Sequence, residues 1–232
     1  MLDMKVLIVL TSHDQLGNTG RKTGFWDETL AAPYYVFLEA RVDITLASPN
    51  GAQPPLDPRS RQQGFQTNDT RRFENDTAAL RALADTVKLL EIEPGKFDGA
   101  FFPGGHGLLW DLVNDRNAHR IIASMLAAKK PVALVCHAPG ILAQVTAPNG
   151  DPIAKGRSLT GFTHSEEADL HLTEVVPYQV EDELKKQGAI FSAKANGTVH
   201  VVQDDLLITG QNPASSHQAA LRLLDLLQAD AG

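Results

Sequence analysis

Cysteine is almost absent from this chain: Cys136 is the single one in 232 residues. An intramolecular disulfide is thereby excluded, and a reducing, cytoplasmic setting is expected. The chain also lacks any apolar run near the ~20 residues that cross a bilayer. Its opening, Met1-Leu2-Asp3-Met4-Lys5, has no basic stretch ahead of Val6–Leu10, so neither a signal peptide nor membrane contact is expected. Positive charge is not in excess. The formal net charge is −7, and Arg71-Arg72 and Lys129-Lys130 are isolated pairs, so no nucleic-acid track is expected. No Cys-x-x-Cys or His-x-x-x-His spacing occurs, which removes the common structural zinc patterns. His164 and His171 share a face only if their segment is helical throughout. His13, His106 and His217 fall in loops or at a helix start, and no metal site is expected. Repeats, low-complexity segments and linkers are missing too, and the whole of 1–232 reads as one domain.

What is present is an ordinary globular balance, 43% hydrophobic and 21% charged, enough for a sizeable core. Strand signals cover Lys5–Thr11, Val42–Ala47, Phe97–Phe102, Pro131–Val135, Ala189–Ala193, Thr198–Gln203 and Leu206–Thr209. Helical spacing covers Glu28–Arg41, Asp115–Lys129 and Ala214–Gln228. This alternation predicts an α/β fold, a mainly parallel sheet with helices on both faces. Residues 47–70 are the least regular stretch, with four prolines, and read as a lid or interface loop.

Sites in such folds lie beyond the carboxyl ends of the strands. Val132-Ala133-Leu134-Val135 runs as a buried strand into Cys136-His137, and Pro139 suits the first turn of a helix that follows. A side chain at this elbow is pushed outward, beside free amides whose dipole favours a thiolate, the reactive form of cysteine. A buried structural thiol is the plainer alternative. The glycines of Pro103-Gly104-Gly105-His106-Gly107 allow exposed amides, which with that of His137 could form an oxyanion hole. The pattern fits neither a Walker loop nor Gly-x-Gly-x-x-Gly. Asp27 is the expected N-cap of the first helix, leaving Glu28 free as an acid/base candidate. His137 could take the thiol proton, with Glu166 or Glu167 as its orienting carboxylate, although paired acids are commonly a solvated helix face.

The segments Lys22–Glu28, Phe102–Gly107, Val135–Pro139, Leu159–Thr163 and Thr209–Ser216 run in an order that resembles the PfpI-like superfamily, in its heat-shock chaperone/glyoxalase III branch. The resemblance implies a flavodoxin-like three-layer sandwich of the class I glutamine amidotransferase type. It implies Cys136 as nucleophile, Glu28 as acid/base partner of the sulfur, His137 as second catalytic residue and Glu167, preferred to Glu166, as the third. Gly105 and His137 would supply oxyanion amides, with His106 in the binding loop. The activity implied is conversion of methylglyoxal or a related small 2-oxoaldehyde to a 2-hydroxy acid, without glutathione, metal or other cofactor, by a homodimer. Deglycation of early adducts, peptide hydrolysis, a holdase surface and a redox-sensing thiol are the alternatives.

Overall fold

The computed structural model describes residues 4–230, so Met1–Asp3 of the opening segment lies outside the described residues. In chain order it contains β1 (Lys5–Val9), α1 (Asp27–Glu39), β2 (Asp43–Ser48), α2 (Asn68–Asn75), α3 (Thr77–Ala84) and β3 (Val87–Lys88). Then come β4 (Gly99–Phe102), α4 (Arg116–Ala127), β5 (Val132–Val135), β6 (Ser158–Leu159), α5 (His164–Asp169) and α6 (Val180–Lys186). The described chain closes with β7 (Ile190–Phe191), β8 (Val201–Asp204), β9 (Leu207–Gly210) and α7 (Ser216–Asp230).

Seven strands form the central sheet in the order β3-β2-β1-β4-β5-β9-β8. Every pairing is parallel except that of β8 with β9. Strand side chains alternate, so a sheet covered on both faces needs apolar residues at every position. In β1, Val6 and Ile8 join Phe101, Ala133, Val135 and Ile208 against α1 and α7. Leu7 and Val9 join Phe102, Val132 and Leu134 against α4 and the turn at 138–144. Helix α4 shows why sequence becomes structure here. Asp115 accepts the amides of Asn117 and Ala118 at 2.7 and 3.0 Å, and Ala118, Ile121, Ile122 and Met125 form its buried stripe. The chain winds outward from β1 to β3 and then returns to β4, so strand order reverses between β1 and β4. The loops leaving β1, β4 and β5 meet at that reversal, where α/β sheets place their clefts.

Several expectations need correction. Within 47–70, expected as the least regular stretch, an Asp57-capped 3-10 turn at Pro58–Arg61 leads to a second at Gln63–Phe65, and α2 already begins at Asn68. Helices α2 and α3 and strand β3 lie outside the elements expected from the sequence. Trp26, not Asp27, holds the N-cap of α1, with Asp27 in the first turn. The element after the elbow is a seven-residue 3-10 segment, Ala138–Gln144. Residues expected as a strand at 189–193 supply only β7, which pairs with β6 in a separate two-stranded sheet. Helix α5 stops at Asp169 and His171 adopts φ +56°, so His164 and His171 do not share a helix.

Candidate functional site

Strand β5 is fully buried and delivers Cys136 at φ +61°, a left-handed conformation costing roughly 1–3 kcal/mol for a residue with a side chain. Two backbone bonds hold it there. The Cys136 amide donates to Gly210 O at 2.9 Å, and the Phe162 amide donates to Cys136 O at 2.8 Å. Gly104 packs so closely that a Cβ on it would lie 2.3 Å from Cys136 Cβ, which only glycine allows.

From the sulfur a hydrogen-bonded line runs inward. Cys136 Sγ lies 3.2 Å from His137 Nδ1, and His137 Nε2 lies 2.8 Å from Glu167 Oε2. The other oxygen of Glu167 faces His106 Nε2 at 2.8 Å, and Arg59 Nη2 lies 3.0 Å from His106 Nδ1. A carboxylate only accepts, so His137 presents Nε2–H to Glu167 and its Nδ1 to the sulfur. Phe162 stacks on the His137 ring at 4.2 Å between centroids, and the His106 ring lies 4.1 Å from it. Burial pushes the His137 imidazole down, but Cys136 and Glu167 outweigh it and raise its pKa to about 10. His106 goes the other way, to about 4, because burial and the neighbouring His137 charge both oppose its protonation. Glu167, although buried, is held well below the usual carboxylate range by the two imidazoles.

The sulfur opens into a cavity of about 570 Å³. Trp26, Phe65 and Phe162 give it aromatic walls, and Glu28, Thr67 and Glu166 supply polar groups. Burial raises the Glu28 carboxyl to about 7, against the hydrogen bond that Thr67 Oγ1 donates to it. Glu28 makes no hydrogen bond to Cys136 among the described residues; the two share the cavity.

The DJ-1/PfpI family model matches residues 22–226. The chain belongs to the DJ-1/PfpI family. This DJ-1/PfpI protein is 31% identical to the glutathione-independent glyoxalase HSP31 of Saccharomyces cerevisiae, over 98% of this chain and all of that one. Among solved structures it is similar to the 24 kDa rapid encystment protein of Francisella tularensis, with TM-score 0.92, 32% identity and coverage of 97% and 99%. Glyoxalase III of Candida albicans follows with TM-score 0.87, 27% identity and coverage of 96% and 97%. The mainly parallel, helix-flanked sheet is thus the DJ-1/PfpI flavodoxin-like α/β fold.

Within this DJ-1/PfpI site, the two neighbouring acids on α5 separate. Glu166 takes the third position of a capping box with Thr163, and its Oε1 accepts from Asn212 Nδ2 at 2.8 Å and from the Gly197 amide at 3.0 Å. Glu167, one residue on, points to the histidines. The amides of Gly105 and His137 donate to no protein acceptor among the described residues, and Gly105 sits at φ +124° against the Gly24 backbone. His106 was expected in a binding loop. It does line the cavity, but both ring nitrogens are engaged by Glu167 and Arg59.

His106, His137 and Glu167 bring ligand-type atoms within 4.8 Å of one another, a grouping that spacing in the sequence did not reveal. Each Nε2 faces a carboxylate oxygen and His106 Nδ1 faces a guanidinium, so these ring nitrogens are paired within the protein. Asp57, Arg59, Phe65 and Thr67 were missed by sequence reasoning. Asp57-Pro58-Arg59-Ser60 does carry a visible capping signal, an Asx residue before a proline at N1. What it cannot reveal is where the Arg59 side chain reaches.

Proposed function

We propose that this protein is a glutathione-independent glyoxalase that converts methylglyoxal, or a related small 2-oxoaldehyde, to a 2-hydroxy acid such as lactate. The observation that carries the reading is the line Cys136–His137–Glu167 opening onto a cavity that also holds Glu28. The names of the relatives from Saccharomyces cerevisiae and Candida albicans support it.

In this reading His137 and Glu167 stabilise the Cys136 thiolate as an ion pair, and the sulfur adds to the aldehyde carbon C1. The oxyanion of the hemithioacetal is received by the amides of Gly105 and His137. The C1 proton passes to a base, Glu28 or His137, and a proton is returned to C2 through an enediol. A carboxyl held near pH 7 suits such transfers in both directions. The product is a thioester on Cys136, which water opens to the hydroxy acid, regenerating the thiol. The chemistry is of the lyase type, with cysteine as nucleophile. Residues 47–70 act as the access segment, contributing Gly64, Phe65 and Thr67 to the cavity wall.

The test is chiral lactate formation from methylglyoxal by purified protein, without glutathione or added metal, beside Cys136→Ser. Lactate of one hand, lost in the variant with folding intact, is the expected result. Lactate formation at wild-type rate in Cys136→Ser would refute the nucleophile. None above background in the wild type would refute the activity.

A further inference from the structure

One side chain bonded into the site has no part in that reaction. Arg59 stands on the 3-10 turn Pro58–Arg61 of the access segment, and its Nη2 lies 3.0 Å from His106 Nδ1. A guanidinium nitrogen can only donate. His106 Nδ1 must therefore present its lone pair, which puts the ring's hydrogen on Nε2, aimed at Glu167 Oε1 2.8 Å away. The opposite tautomer would set a lone pair against the carboxylate and an N–H against the guanidinium. Arg59 is itself fixed by Asp57, which is fully buried: Nε to Oδ1 is 3.0 Å and Nη2 to Oδ2 is 2.6 Å. Thr23 Oγ1 donates to the same carboxylate at 2.9 Å, and Asp57 Oδ1 accepts the Arg59 amide at 2.9 Å. Charge alternates along the result: Asp57 negative, Arg59 positive, His106 neutral, Glu167 negative, His137 positive, then the sulfur.

The segment that carries this arginine is pinned to the α1 entrance. The Phe25 amide donates to Pro55 O and the Asp57 amide to Phe25 O, each at 2.9 Å. A Cβ on Gly24 would sit 1.9 Å from Pro55 O.

We propose that Arg59 is a positioning residue for the reaction. It sets the His106 tautomer and through it the aim of Glu167 at His137, so that seating the access segment and aligning the nucleophile are one event. The inference rests on the reading of Cys136 as nucleophile. A purely structural Arg59, serving only to neutralise Asp57, would have no coupling to His106, and this difference can be measured.

The experiment is a double-mutant cycle of Arg59→Gln and His106→Gln. A glutamine amide at 106 can donate to Glu167 whatever stands at 59, because it has no tautomers to choose between. Two readouts are taken for all four proteins: kcat and KM for lactate formation, and the rate of Cys136 alkylation by iodoacetamide at pH 7. Arg59→Gln alone is expected to lower kcat and alkylation by about tenfold, the usual scale for residues that orient a reacting group. KM should move by less than about twofold. In the His106→Gln background, removing Arg59 should change neither readout by more than about twofold. Equal losses in both backgrounds, or no loss in the first, overturn the proposal.

Losing Arg59 strands the buried Asp57 carboxylate, which can unfold a protein. The cycle is therefore also run with Asp57→Asn in all four proteins, with thermal melts to establish folding, and the same coupling is required there. Alkylation needs no turnover, so the two readings fail separately. Coupling in alkylation without wild-type lactate would sink the glyoxalase reading alone, and lactate without coupling would sink only the role of Arg59.

Discussion

Glu28→Gln should make this protein more stable at pH 8 while making it a poorer catalyst. Burial lifts the Glu28 carboxyl from its ordinary value of 4.5 to about 7. An acid whose pKa rises on folding binds its proton more tightly in the native state. The native state therefore loses stability as pH climbs from the unfolded value, near 4.5, through the folded one, near 7. This is opposite to the usual salt-bridged carboxylate. At 1.36 kcal/mol per pH unit the full penalty above pH 7 is roughly 3 kcal/mol. Solvent screening at the partly open cavity reduces it to about 1–2 kcal/mol. Glutamine carries no charge, keeps the shape, and can still accept the Thr67 hydroxyl through its amide oxygen. Urea unfolding of wild type and Glu28→Gln under reducing conditions measures the difference, since the other titrating groups cancel between the two proteins. The variant should lead by about 1–2 kcal/mol at pH 8 and by nearly nothing at pH 4.5. A lead of equal size at both pH values, or a deficit at pH 8, would refute a half-buried, raised Glu28. Lactate turnover at pH 8 should fall in the same variant if Glu28 moves the proton.

Glu167→Gln should lower kcat by at least about a hundredfold, because an amide cannot accept from both histidines and His137 loses its counter-charge. NMR titration of the His137 ring should show its pKa falling from the raised value, whereas Glu166→Gln, which disturbs a cap and the 197–212 contacts, should leave that pKa where it was. Gly104→Ala should lower the melting temperature and slow Cys136 alkylation together: the new methyl meets Cys136 Cβ at 2.3 Å and Val135 O at 2.9 Å, and overpacking of this kind costs about 1–3 kcal/mol. Unchanged alkylation in a stable Gly104→Ala protein would mean that the elbow relaxes without consequence.

The α/β architecture was legible because two-face burial forces apolar runs, and Val6–Val9 of β1 and Val132–Val135 of β5 are such runs. Cys136 and the Gly104–Gly107 loop were legible for the same reason, each following a strand, whereas Glu28 stands on α1 and its pairing with the sulfur came from the family resemblance. Strand order was not, since nothing local in β8 distinguishes its antiparallel pairing with β9. Helices α2 and α3 were hidden because each has only eight residues; α2 carries Phe73 as its one apolar side chain, and the caps of the two, Thr67 and Asp76, lie inside polar sequence. The choice between Glu166 and Glu167 had an overlooked signal. Thr163-His164-Ser165-Glu166 is a capping box in plain view, and it commits Glu166 to the helix start. By contrast, Arg59 reaches His106 across 47 positions of sequence, and no spacing rule carries that information.

Three departures from ordinary local chemistry gather at one end of the sheet: a cysteine at positive φ, a carboxyl raised by burial, and a carboxylate between two imidazoles. Each alone would relax. Cys136 could leave the left-handed region if its amide and carbonyl were free, but β9 takes one and the Phe162 loop takes the other. Glu167 could swing to water, but both oxygens are engaged and Phe162 closes over His137. Those restraints come from three separate stretches of chain, so none can be lost without releasing the sulfur from its line to the carboxylate. The apolar sheet thus does more than stabilise the fold. Its rigidity is what allows a strained, polar constellation to persist at its edge, and stability that the site forgoes is recovered in layers the substrate never touches.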